Sequence, residues 1–259
     1  MKISLLALDL DGTLLRSDKT ISDFTRQTLE KCKRRGIWVA IATARSEEEA
    51  SKFTGQIPYD ILISNGGALV RRGTEILYQA PLSPETTDGL LLDALGQPGY
   101  RSSTVQTGDD YFFYGEWNPK LTDDPGYRTA RAWDLSKPLG RPSYKVTLQS
   151  SSPAEMTRLA EKFPECVLTP FAGEDWYRFA HKNANKLCAV TATAEALAIP
   201  MEQVAAFGDD YIDREMLRGC GFGVAMGNAI PEVRAAAKFV CDTNDNDGVA
   251  KWLQDNAPL

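Results

Sequence analysis

The sequence predicts an α/β protein: a Rossmann-like core with a parallel sheet, interrupted by an inserted α+β module. Three observations carry that prediction. In residues 1–81, short apolar runs that suit buried strands alternate with amphipathic stretches that suit helices. The same rhythm returns in residues 183–259. Between them, residues 82–182 run as a helix, a hairpin, single strands and a second helix. The expectation is therefore a core of residues 1–81 and 183–259, with a cap of residues 82–182 inserted into it.

The elements follow in order. Residues 3–8 are a continuous apolar run that ends at Asp9 and reads as the first strand. Residues 22–35 read as a helix capped by Ser22, with Phe24, Leu29 and Cys32 on one face. Lys31, Lys33, Arg34 and Arg35 crowd its C-terminal end, and Gly36 stops it. Residues 38–42 are a second strand, 46–53 a helix with Glu47, Glu48 and Glu49 in its first turn, and 61–64 a third strand. In the inserted module, Pro84 at the first helical position opens a helix through Leu95. Residues 103–106 and 111–114 pair across Gly108-Asp109, and 143–149 is a strand. Ser152 and Glu155 match a capping box that opens a helix through Phe163, followed by strands at 166–169 and 176–179. Late in the chain, strands at 204–207, 222–225 and 239–241 interleave with helices at 213–218, 231–237 and 248–254.

Composition narrows the function classes. The chain has 259 residues, 43% hydrophobic and 25% charged, the balance of a globular protein. A net charge of −6 speaks against holding a nucleic-acid backbone by bulk charge, so any phosphate site must be built locally. No apolar run approaches the ~20 residues of a membrane span. The apolar start is broken by Asp9 and Asp11, unlike a secretory leader. Five cysteines, none within Cys-x-x-Cys distance of another, suit free thiols in a reducing compartment, so the expected location is the cytoplasm.

The chemistry concentrates at strand ends. Asp9-Leu10-Asp11-Gly12-Thr13 places two carboxylates, two residues apart, at the C-terminal end of the first strand, the edge where open α/β sheets bind ligands. Such a pair can hold Mg²⁺ and attack an electrophile, and Gly12 lets the chain turn. Thr43, in Ile41-Ala42-Thr43-Ala44-Arg45 after the second strand, offers a hydroxyl to a phosphoryl oxygen or a cap to the next helix. Gly208-Asp209-Asp210-Tyr211-Ile212-Asp213 follows a late strand, and Asp209 there is a hard oxygen ligand suited to Mg²⁺.

These motifs resemble the haloacid-dehalogenase-like hydrolases, whose first motif is DxDGT. In that resemblance Thr43 supplies the second motif, Lys186 in Asn185-Lys186-Leu187 the third, and Asp209 with Asp213 the fourth. Asn65-Gly66-Gly67, Val224 through Ala229 and Asp247 through Ala250 further resemble the Cof-type members, which carry a large cap between the second and third motifs. The departures are Ala44 where the family usually has Gly, Leu187 where Gly is common, and Ile212 where Asn is usual.

The resemblance implies a Mg²⁺-dependent phosphatase. Asp9 attacks the phosphate and becomes an aspartyl phosphate, and Asp11 serves as acid and then base. Mg²⁺ sits on Asp9, the main-chain carbonyl of Asp11 and Asp209, while Asp213 holds a metal-bound water or orients Lys186. Gly12, Thr43, Ala44, Arg45 and Lys186 line the phosphate, with Arg45 equally able to pair with Glu47–Glu49. Asp11 favours phosphate esters, because dehalogenase relatives lack this second Asp. A phosphomutase, or a non-catalytic phosphometabolite-binding protein of the same fold, is the alternative. The expected partner is a small phosphorylated molecule, probed first among sugar phosphates, with no nucleic acid and no membrane, for a monomer or homodimer. In the cap, Tyr111, Tyr114, Trp117, Tyr127, Trp133, Trp176 and Tyr177, with Arg128, Arg131, Lys145, Arg178 and His181, divide between cap core and substrate contact.

Overall fold

The computed structural model describes residues 2–108, 110–115, 131–134, 137–171 and 173–257. Asp109, Trp117, Tyr127 and Arg128 lie outside the described residues. The chain divides into two compact units, one running to Gln79 and resuming at Asn185, the other spanning Ala80–Ala184. The sequence places the breaks at 82 and 182.

The first unit opens with β1 (Leu5–Leu8), whose four residues are all buried. Helix α1 (Asp23–Arg34) follows, capped by Ser22, whose hydroxyl accepts from the Thr25 N–H. Its buried stripe is Thr25, Thr28, Leu29 and Cys32. Phe24, expected on that face, is 38% exposed instead: it stands one turn before Thr28, at the edge of the stripe rather than at its centre. Strand β2 (Trp38–Ala42), helix α2 (Glu47–Thr54) and strand β3 (Ile61–Ser64) complete the alternation. The α2 start carries a capping box: Ser46 accepts from the Glu49 N–H, and Glu49 accepts from the Ser46 N–H. Two strands not read from the sequence, β4 (Leu69–Arg72) and β5 (Glu75–Gln79), add an antiparallel hairpin beside β3.

The second unit holds α3 (Pro84–Leu95), β6 (Tyr100–Gln106), β7 (Tyr111–Gly115), β8 (Arg131–Ala132), β9 (Lys145–Ser150), α4 (Pro153–Lys162), β10 (Cys166–Pro170) and β11 (Trp176–His181). Its sheet runs β10-β11-β9-β6-β7-β8, antiparallel except between β7 and β8. One face of that sheet, with Val105, Val146, Leu148, Tyr177 and Phe179, packs on Leu90, Leu91, Met156 and Leu159 of α3 and α4. The capping box expected at Ser152 is absent: Ser152 makes no side-chain cap bond, and Glu155 pairs with Arg158 one turn on.

Back in the first unit come α5 (Lys186–Ala196), β12 (Val204–Gly208), α6 (Arg214–Gly219), β13 (Phe222–Ala225), α7 (Pro231–Ala236), β14 (Phe239–Val240) and α8 (Gly248–Asn256). The sheet order is β14-β13-β12-β1-β2-β3-β4-β5, parallel from β14 to β3. Register matters most here. Leu8 at the end of β1 lies level with Ile41 on one side and Phe207 on the other. Asp9, Thr43 and Asp209 therefore leave three adjacent strands at one edge of the sheet.

Candidate active site

The sheet edge is a cluster of charged groups, most of them buried. Asp9 is 5% exposed and Lys186 1%. The Lys186 ammonium donates to Asp9 Oδ1 and to Asp213 Oδ1, both at 2.6 Å. Lys186 is the first residue of α5, whose N-cap Asn185 accepts from the Cys188 N–H. Its placement depends on the Asn65-Gly66-Gly67 turn. Gly67 sits at φ +99° against the chain, where a Cβ would come 2.2 Å from the Asn185 carbonyl oxygen. The same turn holds the loop after β2, because the Asn65 and Gly66 N–H groups donate to the Arg45 and Thr43 carbonyls at 2.8 and 2.9 Å.

Asp213 ends a short 3₁₀ turn, Tyr211–Asp213, and closes it by a capping box with Asp210. Its Oδ2 accepts from the Asp209 and Asp210 N–H groups, each at 3.1 Å. Asp213 thus ties the Asp209 loop to Lys186. One carboxylate oxygen from each of Asp9, Asp209 and Asp213 lies within 4.8 Å of the others. Gly12, at φ +74°, passes so close that a Cβ there would meet Asp209 Oδ2 at 2.3 Å. Thr13 donates to Asp209 Oδ1 at 3.3 Å.

The Asp11 side chain stands apart from this cluster. Arg45 donates to it through Nε at 2.6 Å and Nη2 at 2.8 Å, and Lys19 Nζ reaches the same Oδ1 at 2.8 Å. Arg45 is steadied by the Phe53 ring, 4.6 Å beneath its guanidinium. Arg45 pairs with Asp11, while Glu47 pairs with Arg71 and Glu49 closes the Ser46 cap. Thr43 is buried, and its hydroxyl accepts from the Arg45 N–H at 3.1 Å; the cap of α2 is Ser46, not Thr43. Ala44 is exposed at the same loop.

Electrostatics sort these groups. Burial pushes the Asp9 carboxyl up, opposed by the Lys186 ammonium and reinforced by Asp213 and Asp209. Burial works against the Lys186 charge, yet Asp213 and Asp9 hold its pKa well above the ordinary lysine value. Asp209 is raised to about 6, by burial first and then by Asp213. Asp11 is lowered to about 2, because the bonds from Arg45 and Lys19 outweigh burial. The site thus holds two carboxylates that share one lysine, a third beside them, and a fourth clamped as an anion.

A match to the model of the haloacid dehalogenase-like hydrolases spans residues 6–253. The chain belongs to that family. Within it, the chain is 30% identical to the 5-amino-6-(5-phospho-D-ribitylamino)uracil phosphatase YitU of Bacillus subtilis, over 97% of this chain and 96% of that protein. It is 31% identical to the HMP-PP phosphatase of Escherichia coli O6:H1, over 89% of this chain and 86% of that one. In fold it is similar to the subclass IIB sugar phosphatase BT4131, with a TM-score of 0.82 at 22% identity, covering 97% of this chain and 98% of that one. The chain is a Cof-type phosphatase of the haloacid-dehalogenase-like superfamily.

Two departures from the family pattern have a physical reading in this member. Leu187 lies over Gly219 at the end of α6, where a Cβ on that glycine would meet its Cδ1 at 2.4 Å. Its role there is packing between α5 and α6. Ile212 is 37% exposed on the 3₁₀ turn. Thr13 and Asn228, which donates to the Gly12 carbonyl at 2.8 Å, lie within the DxDGT and Val224–Ala229 motifs, but the sequence assigns neither a partner. Lys19 belongs to no motif read from the sequence, and its pairing with Asp11 depends on how its loop closes.

Proposed function

We propose that this phosphatase is a Mg²⁺-dependent phosphomonoester hydrolase that works through a phosphoryl group on Asp9. The observation that carries this reading is the placement of Asp9: a buried carboxylate at the end of a central strand, paired with Lys186 and flanked by Asp209. An ammonium at 2.6 Å both orients the nucleophilic oxygens and offsets the charge of an incoming phosphate.

The donor set suits a hard divalent cation. Lys186 brings one positive charge to the three carboxylates of Asp9, Asp209 and Asp213, which leaves net negative charge for a hard cation to offset, and Gly12 keeps Cβ bulk away from Asp209. Asp9, Asp209 and the Asp11 main-chain carbonyl would hold Mg²⁺, with Asp213 behind them fixing Lys186 and the Asp209 loop. Bound there, the cation would screen the carboxylates from the anionic substrate and polarise the phosphoryl oxygens.

The chain's own groups divide the remaining work. Thr43 and Lys186 bind phosphoryl oxygens, and Ala44 and Arg45 border the phosphate. In the first half-reaction the Arg45 and Lys19 pairs loosen as the phosphate competes for them, Asp11 takes up a proton from solvent, and it gives that proton to the leaving oxygen. In the second half Asp11 takes a proton from the attacking water, and the clamped carboxylate suits that step directly. The substrates are small phosphorylated metabolites, with sugar phosphates the first class to assay. The place of action is the cytoplasm, in keeping with five free cysteines; no helix among the described residues is long and apolar enough to cross a membrane.

Turnover of p-nitrophenyl phosphate, with and without EDTA, tests the reading. Metal-dependent release that disappears in Asp9→Asn supports it. Full activity without metal, or full activity in Asp9→Asn, overturns it.

A further inference from the structure

Lys19 lies eight positions beyond Asp11, on a loop, with its side chain half exposed. An exposed lysine–carboxylate pair by itself is worth only about 0–1 kcal/mol and rarely directs anything. This one is presented by a rigid device. Lys19 adopts φ +65°, a left-handed conformation that costs a non-glycine residue on the order of 1 kcal/mol. The turn that imposes it is closed twice, by Arg16 N–H to the Thr20 carbonyl and by Lys19 N–H to the Arg16 carbonyl, each at 2.9 Å. Asp18 locks its far side by accepting from the Thr20 N–H and hydroxyl at 2.9 and 2.6 Å.

The turn is then bolted to the segment before α8. Asn244 Nδ2 donates to the Leu15 carbonyl at 2.9 Å, Arg16 Nη2 donates to Asp247 at 2.9 Å, and Ser17 donates to Asp245 through its N–H at 2.8 Å and its hydroxyl at 2.7 Å. These bonds span more than two hundred residues of sequence and fix where the Lys19 backbone sits. The ammonium lands on Asp11 Oδ1, the oxygen that Arg45 Nη2 also reaches. Arg45 holds the carboxylate along one edge through both oxygens, and Lys19 adds a third bond from a separate, anchored loop.

We propose that Lys19 is a positioning residue that holds the Asp11 carboxylate for the second half-reaction, the hydrolysis of the phosphorylated enzyme. In that step the water oxygen bonds to phosphorus, the bond from phosphorus to the Asp9 oxygen breaks, and the water proton passes to Asp11. Phosphate leaves, and Asp9 regains its carboxylate. The inference rests on the assignment of Asp9 as nucleophile and Asp11 as base under the proposed function.

The test is pre-steady-state and steady-state turnover of p-nitrophenyl phosphate with Mg²⁺ by the full chain and by Lys19→Met, Lys19→Arg and Asp245→Ala. p-Nitrophenolate leaves without an acid, so a defect confined to the second step spares kcat/KM. Lys19→Met is expected to lower kcat on the order of tenfold, to leave kcat/KM within about twofold, and to release a burst of p-nitrophenol equal to the enzyme present. Asp245→Ala should show the same split to a smaller degree, and Lys19→Arg should restore kcat. A parallel fall in kcat and kcat/KM without a burst, or no change in Lys19→Met, overturns the inference. Asp11→Asn separates the two levels. If it bursts while Lys19→Met does not, the role of Lys19 alone fails; if it neither bursts nor slows, the assignment of Asp11 as base fails with it.

Discussion

Lys186 Nζ lies 2.6 Å from Asp9 Oδ1, with the lysine side chain fully withdrawn from solvent and the aspartate side chain 8% exposed. A buried ion pair of this kind need not add net stability, but removing one partner strands the other. Lys186→Met leaves both Asp9 and Asp213 without their shared cation. The expected loss is about 3–5 kcal/mol, read as a shift of the denaturant midpoint, together with loss of activity. A variant of unchanged stability would show that the carboxylates find other compensation.

The carboxylate cluster should make stability depend on pH in a way that Mg²⁺ alters. Asp209 is raised to about 6 from 3.8, so the folded chain binds that proton more tightly than the unfolded chain. Its contribution to folding is fully present below pH 3.8 and is lost as pH rises through 6. Asp11, lowered to about 2, contributes in the opposite sense: its share is present above 3.8 and is lost as pH falls towards 2. Burial raises Asp9 as well, so it contributes in the same sense as Asp209. Thermal unfolding in EDTA should therefore show a decline as pH rises above about 4, which Asp209→Asn lessens and saturating Mg²⁺ flattens. A decline indifferent to both would contradict the cluster's role.

Gly67→Ala tests the turn that seats Lys186. The added Cβ would lie 2.2 Å from the Asn185 carbonyl oxygen at a φ that disfavours side chains, so the start of α5 must shift. The expected result is a kcat loss of at least tenfold, since misplacement by about 1 Å costs that much or more. Wild-type kcat in a folded Gly67→Ala would mean that the Asn65–Gly67 turn does not control the site.

Ile212 replaces a residue that is usually polar in this family, and it faces solvent in part. Ile212→Asn should change stability by no more than about 0.5 kcal/mol. Any change in kcat/KM across a panel of sugar, polyol and aryl phosphates then reports on substrate contact rather than on folding. A large stability loss would place Ile212 in a structural role instead.

Much of this was legible in the sequence, for a physical reason. Buried parallel strands such as Leu5–Leu8 and Val204–Gly208 are continuous apolar runs, and the carboxylates that end them interrupt the pattern visibly. The pairing of Lys186 with Asp9 followed from motif order. What escaped depends on the rest of the fold. The strands Leu69–Arg72 and Glu75–Gln79 mix charge with apolar residues, because they form the antiparallel edge of the sheet. Ser152 and Glu155 have the spacing of a cap, yet Arg158 takes the glutamate. Lys19 meets Asp11 only because Asp245 and Asp247 pin its turn from the other end of the chain.

The central claim is that phosphoryl transfer passes through Asp9. The direct measurement is peptide mapping by mass spectrometry of Asp11→Asn after incubation with p-nitrophenyl phosphate and Mg²⁺ and an acid quench. Without its base the hydrolysis step slows, and a phosphoryl group should be found on the peptide carrying Asp9, absent from the same peptide when Asp9→Asn is added. Release of p-nitrophenol with no phosphorylated peptide, or with the phosphoryl group on another residue, would contradict the mechanism.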